Sequence, residues 1–205
     1  MPATQTLRAI LALSALAALG PAPSHAAPAA VASGVYDNTL ILAVGPGGQL
    51  TGYFDMSQPG PPEIDCIAYF RGKLAGNGGA ISASEPGLPE EKPINGRIAN
   101  TAAGAVRITL PNEPPGCGNI WSFANKDDPA DFTLQHAEPW TSVRVVKAAK
   151  AYFSPTPGAP NGKAYVVKDD GVGVRATQAG WVQADFVNDS RTTSGWLRET
   201  DLYAP

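Results

Sequence analysis

Histidine is scarce in this sequence. Only two histidines are present, and His25 lies in the predicted leader described below, which leaves His136 as the only one of the mature chain. A His-rich zinc site is therefore excluded, and any Ser-His-Asp arrangement would depend on His136 alone. The alternative role for His136 is that of a polar residue at a strand end.

No apolar run is long enough to cross a bilayer. The run Ala9 to Leu19 has 11 residues, whereas a transmembrane helix needs about 18 or more. Arg8 precedes this run and Ser24-His25-Ala26 follows it, which is the pattern of a secretory signal peptide over residues 1–26. We predict cleavage after Ala26, no membrane insertion of the mature chain, and a periplasmic or secreted location. An uncleaved anchor is the alternative.

An excess of basic residues is also missing. The formal net charge is −3, and it becomes −4 when Arg8 leaves with the leader. Nucleic-acid binders concentrate cations on one face, whereas the cations here are interpreted as scattered among acidic neighbours. The sequence has no phosphate-binding loop, dinucleotide fingerprint, nucleophile elbow or calcium loop. We predict no nucleic-acid partner, no cofactor and no metal.

The only two cysteines are Cys66 and Cys117. An even pair in an exported chain predicts a disulfide. Closing a loop of roughly 50 residues stabilises a fold by about 4 kcal/mol in the chain-entropy model. A nucleophilic thiolate is the competing interpretation.

The residues that are abundant indicate β-structure. The chain has 22 glycines and 20 prolines, which disfavours long helices, and its apolar residues alternate with polar ones in short segments. Within Leu50 to Met56, for example, Leu50, Gly52, Phe54 and Met56 share the face expected to point to the core. We predict an all-β protein with an N-terminal antiparallel barrel or sandwich over residues 27–142. Its eight predicted strands are Val35 to Val44, Leu50 to Met56, Ile64 to Leu74, Ala80 to Ala83, Ile94 to Ala99, Val106 to Leu110, Gly118 to Phe123 and Phe132 to Leu134.

Three connections in this half are rich in proline, which is excluded from central strands. They are Gln58 to Pro62, Glu85 to Pro93 and Asn112 to Gly116, and we expect them at the rims of the barrel. The N-terminal half is similar in outline to periplasmic inhibitor or immunity proteins, although no motif secures that likeness. A domain boundary is predicted between His136 and Val143, where Ala137-Glu138-Pro139-Trp140 interrupts the alternation.

From Val145 onward the sequence resembles a bacterial SH3-like domain, a family appended to many exported envelope proteins. The resemblance rests on Lys150-Ala151-Tyr152-Phe153, on the segment KAYVVKDDGVGVRATQAGWVQADFV, and on SGWLRETDLY. It implies a small barrel over residues 143–205 that binds rather than catalyses. Where many relatives have a glycine before the aspartate that follows the second strand, this chain has Asp169. Val182, Ala184 and Phe186 share the face expected to form the core.

In such domains, aromatic side chains beside the loops can form a groove for an extended peptide. The alternative is that several of these rings belong to the core, with Trp196 and Tyr165 the foremost examples. Trp181 and Tyr152 are expected to be the most exposed. The groove candidates are Tyr152, Phe153, Tyr165, Trp181, Trp196 and Tyr203.

Three functions are compatible with these observations. The first is an exported, non-enzymatic cell-envelope binding protein that recognises peptidoglycan peptide or a protein partner. The second is an inhibitor or immunity protein that uses the rim loops to block an envelope-acting enzyme. The third is a wall hydrolase with an SH3-like targeting domain, for which Asp55, Asp65 and Asp131 offer carboxylates, although the sequence cannot pair them.

Overall fold

The computed structural model of the protein describes residues 30–87, 92–102, 104–188 and 191–203, so the predicted leader lies outside the described residues. The described chain is all-β apart from two short 3-10 turns, Pro46–Gly48 and Glu199–Asp201. None of its helices is long and apolar enough to span a membrane. The first eight strands are β1 (Gly34–Tyr36), β2 (Leu40–Val44), β3 (Gln49–Gln58), β4 (Ile64–Ala75), β5 (Gly78–Ser84), β6 (Ile94–Ala102), β7 (Ala105–Thr109) and β8 (Ala130–Ala137). The remaining strands are β9 (Ser142–Val145), β10 (Lys150–Tyr152), β11 (Tyr165–Val167), β12 (Gly171–Gln178), β13 (Trp181–Asn188) and β14 (Arg191–Arg198).

The first eight strands form a closed barrel. Each strand pairs antiparallel with the next, and β8 returns to pair with β1 through Val35 and His136. Closure removes the free sheet edges that an open sandwich would leave. The prediction of a barrel or sandwich is therefore resolved in favour of the barrel.

Two of the predicted strands were wrong. The segment 35–44 is a hairpin, because Asp37 and Asn38 adopt positive φ angles of 46° and 58° and turn the chain between β1 and β2. The segment 118–123 is not a strand. There the carboxylate of Glu113 accepts hydrogen bonds from the backbone N–H groups of Phe123 and Ala124, at 2.8 and 2.9 Å, so the backbone donors are satisfied without a neighbouring strand.

The barrel interior is filled by side chains. Leu50 and Phe54 are fully buried and Met56 packs against them, which confirms the predicted inner face of β3. Phe123, from the long connection between β7 and β8, packs edge-on against Phe54 with ring centroids 5.0 Å apart. This packed centre leaves the surface and the ends of the barrel as the places for function.

The predicted disulfide is present. Cys66 and Cys117 are bonded, with their Cα atoms 4.5 Å apart and a sequence separation of 51. The bond ties the long connection between β7 and β8 to β4. Gly116 reinforces this attachment, because a Cβ atom there would lie 2.0 Å from the carbonyl oxygen of Asp65.

Strands β9 and β12 to β14 form a four-stranded sheet in the order β14-β13-β12-β9, and β10 and β11 form a two-stranded ribbon beside it. Val182 and Ala184 are fully buried between these layers and Phe186 packs against them, as predicted. Asp169, in the turn before β12, has a φ of 71°. That is the left-handed region that glycine enters most readily, so the aspartate adopts there a conformation that a glycine would favour.

The outer wall of β1 to β4 is covered by this second layer. Tyr69 Oη donates a 2.9 Å hydrogen bond to the carbonyl of Val143, and Val143 N–H donates one of 2.7 Å to Thr51 Oγ1. Tyr53 Oη donates to the carbonyl of Asp169. Tyr53, which faces away from the barrel interior, is thus buried and Thr51 is half-buried, which the alternating pattern alone did not predict.

Candidate functional site

The ribbon of β10 and β11 carries an exposed aromatic pair. Tyr152 lies directly opposite Tyr165, and their ring centroids are 5.5 Å apart. Tyr152, Tyr165 and Val167 are the exposed large hydrophobic residues of the described chain, at 37, 46 and 41 % exposure. Strand alternation places them on one face with Lys150, which pairs with Val167. We call Lys150, Tyr152, Tyr165 and Val167 the ribbon surface.

The ribbon surface is positively charged. Lys150 Nζ lies 4.3 Å from the centroid of the Tyr165 ring, in cation–π geometry. Residues 143–168 contain five cations and no Asp or Glu. Of these cations, Lys147, Lys163 and Lys168 are exposed, and Lys168 is paired with Asp169 at 3.3 Å. The basic side chains are therefore less evenly scattered than the sequence interpretation held.

Two of the predicted groove residues lie on another part of the outer surface. Trp181 is half-buried, and the guanidinium of Arg198 lies 5.7 Å from its ring centroid. Trp196 is half-buried and pairs with Ser154 through an isolated bridge between the sheet and the ribbon. Both indoles share the outer face of the β13–β14 pair, because Trp181 lies opposite Arg198 and Trp196 opposite Gln183.

The remaining two candidates do not join the ribbon surface. Phe153 is 4 % exposed and packs inside the core of the second layer. Tyr203 is half-buried and packs at the junction with the barrel, where its hydroxyl contacts the backbone of Gly87 closely enough that a Cβ atom there would lie 2.4 Å from the oxygen. Tyr165, expected in the core, is instead the most exposed of the six.

A buried polar network joins the linker to the second layer. The side chain of Asp185 is fully buried and accepts hydrogen bonds from Trp140 Nε1 at 2.8 Å, Arg175 Nε at 2.5 Å and Ser194 Oγ at 2.7 Å. Arg175 also contacts Glu138, at 3.1 Å. The network draws on separate segments of the chain, so no local sequence pattern predicted it. It fixes the Trp140 ring rather than exposing a reactive group.

Carboxylates gather around Tyr53 at the junction. Burial is the main cause that raises the pKa of Asp55, and the charges of Asp65, Asp170 and Asp169 add to it. Burial likewise raises the pKa of Asp170, although a 2.7 Å hydrogen bond from Val167 N–H opposes that change. Among the described residues, no group of three His, Cys, Asp or Glu side chains is placed to hold a metal ion.

Of the four residues considered for catalysis, Asp55 and Asp65 are neighbours on the paired strands β3 and β4, where the charge of Asp65 raises the pKa of Asp55, whereas His136 and Asp131 both lie on β8. His136 is exposed on β8, where it pairs with Val35 of β1. Asp131 is held by Arg107 through two 2.6 Å hydrogen bonds, which lower the pKa of its carboxyl group. Neither residue is bonded to a serine or a second carboxylate among the described side chains.

The strands that flank the three proline-rich connections have the corresponding ends at one rim of the barrel, although residues 88–91 of the second connection lie outside the described residues. Because adjacent strands are antiparallel, the β3–β4, β5–β6 and β7–β8 connections all leave at the same rim.

Comparisons with protein families, with curated proteins and with solved structures found no match for this chain.

Proposed function

We propose that the protein is an exported cell-envelope binding protein whose SH3-like C-terminal part, residues 143–205, recognises an extended peptide of the cell wall or a protein partner through the ribbon surface. The observation that carries this proposal is the Tyr152–Tyr165 pair, exposed beside Lys150 on one face of a short ribbon. Flat rings stack on an extended chain with little loss of side-chain entropy. Because these side chains leave apolar surface in contact with water in the free protein, their grouping on one face favours a partner.

Cations on and beside the ribbon surface favour a partner that carries carboxylates. Lys150 lies against the Tyr165 ring, and Lys163 is exposed two residues before that tyrosine, whereas the protein as a whole is acidic. Local positive potential attracts anionic groups and orients their approach. Free carboxylates of wall peptides supply such groups.

The test is co-sedimentation of the mature protein with purified insoluble peptidoglycan. We expect the double variant Tyr152→Ala/Tyr165→Ala to lose binding by about tenfold or more, since aromatic anchors at interfaces contribute about 2 kcal/mol or more. The matched Tyr152→Phe/Tyr165→Phe variant keeps both rings and should retain binding. Unchanged binding by the alanine variant would reject the ribbon surface as the site.

A second candidate function rests on the rim. The gathering of three proline-rich connections at one end of the barrel suits an inhibitor or immunity protein that inserts its rim into the cleft of an envelope-acting enzyme. The test is inhibition of a wall-degrading enzyme by the protein. This function is favoured over the first if the triple variant Pro59→Gly/Pro61→Gly/Pro62→Gly loses the inhibition while the double tyrosine variant keeps it.

A further inference from the structure

A pocket of about 460 Å³ lies on the barrel, beneath the connection between β7 and β8. Its wall is formed by the ends of β7 and β8, and its cover by residues 120–129. The second layer, to which the ribbon surface belongs, covers β1 to β4, whereas this pocket lies on β7 and β8. Its volume falls in the range of roughly 300–1,000 Å³ that is usual for small-molecule sites.

The pocket offers hydrogen-bond donors. The indole N–H of Trp121 is buried and has no acceptor among the described residues. Asn125 Oδ1 accepts from the backbone N–H groups of Asp127 and Asp128, at 3.0 and 3.3 Å, which leaves its amide N–H₂ to donate. A guanidinium has more N–H groups than the pair with Asp131 uses, so Arg107 keeps further donors.

The same pocket offers acceptors and an apolar part. Asp128 is exposed and forms no ion pair within the described part of the chain. Asp131 keeps free lone pairs beside its bonds to Arg107. Ile120, Pro129 and the ring of Trp121 supply apolar lining. Donors, acceptors and apolar surface are thus present together in one concave site.

The combination of donors, acceptors and apolar surface in this pocket favours one class of ligand over others. An anion would be opposed by Asp128 and Asp131. A cation would leave the buried indole N–H of Trp121 without an acceptor, and an unpaired buried donor is costly. A neutral polyhydroxylated ring satisfies both sets, because each hydroxyl both donates and accepts, while its C–H faces pack on apolar side chains.

We propose that this pocket binds a neutral saccharide. The site is separate from the ribbon surface, so sugar binding here and peptide binding at the ribbon surface can each be disproved without affecting the other. The Asp128 carboxylate accepts from sugar hydroxyls, and Trp121 and Asn125 donate to sugar oxygens. The connection between β7 and β8, which the disulfide attaches to β4, holds these groups in place.

The test is a titration of ¹⁵N-labelled protein followed by NMR. The probes are N-acetylglucosamine, its trimer, glucose and galactose as neutral sugars, glucosamine as a cation and glucuronate as an anion. We expect saturable shifts of the Trp121 indole and Asn125 amide signals with a neutral sugar at millimolar concentration, and weaker binding of both charged analogues. The Trp121 signal is identified by its loss in Trp121→Phe.

Substitutions at the mouth of the pocket make the test specific. Asp128→Ala should weaken binding about tenfold, since a hydrogen bond to a charged group contributes about that factor. Asp128→Asn keeps an acceptor and should stay within about threefold of wild type. Asp127→Ala, whose exposed side chain does not line the pocket, is the matched control and should bind normally. Absence of shifts with every neutral sugar, or tighter binding of a charged analogue, would overturn the proposal.

Discussion

Removing the carboxylate of Asp185 should destabilise the protein strongly. The side chain is fully buried and accepts hydrogen bonds from Trp140, Arg175 and Ser194. Asp185→Ala leaves the indole N–H of Trp140, a residue 2 % exposed, without an acceptor, and leaves the Arg175 guanidinium with Glu138 alone. Breaking a buried ion pair costs about 3–5 kcal/mol. We expect about 3 kcal/mol, because the Arg175 side chain is 35 % exposed and partly hydrated.

The matched variant is Asp185→Asn. Its amide oxygen can accept from Trp140 and Arg175, and its N–H₂ group can donate to Ser194 Oγ, so the hydrogen bonds remain while the charge is lost. We expect a loss of about 1 kcal/mol. The measurement is urea denaturation followed by far-UV circular dichroism, with the slope unchanged and the midpoint lowered. Equal effects of the two substitutions, or a loss under 1 kcal/mol for the alanine variant, would refute the proposed role of the network.

Three further predictions concern stability. Replacing Cys66 and Cys117 together by serine should cost about 4 kcal/mol in the free energy of unfolding, measured in urea, because their separation of 51 residues frees a long loop in the unfolded chain; a loss under 1 kcal/mol would contradict this. Gly173→Ala should cost about 2–3 kcal/mol, because its Cβ would lie 2.1 Å from the indole ring packed on it, whereas Gly60→Ala, whose nearest atom is 3.4 Å away, should be neutral. The raised pKa of Asp55 means that the native state holds this proton more tightly than the unfolded chain, so stability falls as pH rises through the native pKa. Asp55→Asn should therefore raise the melting temperature at pH 7 and lose that advantage near pH 3; an equal shift at both pH values would contradict the sign.

The sequence predicted those features of the fold that depend on one segment at a time. Alternation identified the inner face of β3 at Leu50 and Phe54, and the cysteine pair identified the disulfide. Alternation did not predict that Tyr53, on the opposite face of β3, is buried, because that burial depends on the second layer, which lies more than 80 residues away in sequence. The segment 118–123 was misassigned because a single carboxylate, Glu113, replaces the hydrogen bonds of a neighbouring strand.

In the candidate site too, the sequence predicted features that depend on one segment but not those that depend on contacts between segments. The sequence named Tyr152 and Trp181 as the most exposed rings, which is confirmed for Tyr152 and wrong for Trp181, a half-buried residue. Phe153 follows Tyr152 and must point to the opposite side of the strand, which places it in the core. The exposure of Tyr165 depends on its pairing with Tyr152 across the ribbon. The donors and acceptors of the barrel pocket come from two strands and an irregular connection, and no spacing in the sequence brings them together.

The most direct test of the binding role is to map the contact surface. Soluble peptides released from peptidoglycan would be titrated into ¹⁵N-labelled mature protein, and backbone amide shifts followed by NMR. The account predicts that the largest shifts fall on Lys150, Tyr152, Tyr165 and Val167. Shifts confined to the barrel rim, or no shifts at millimolar peptide, would contradict it.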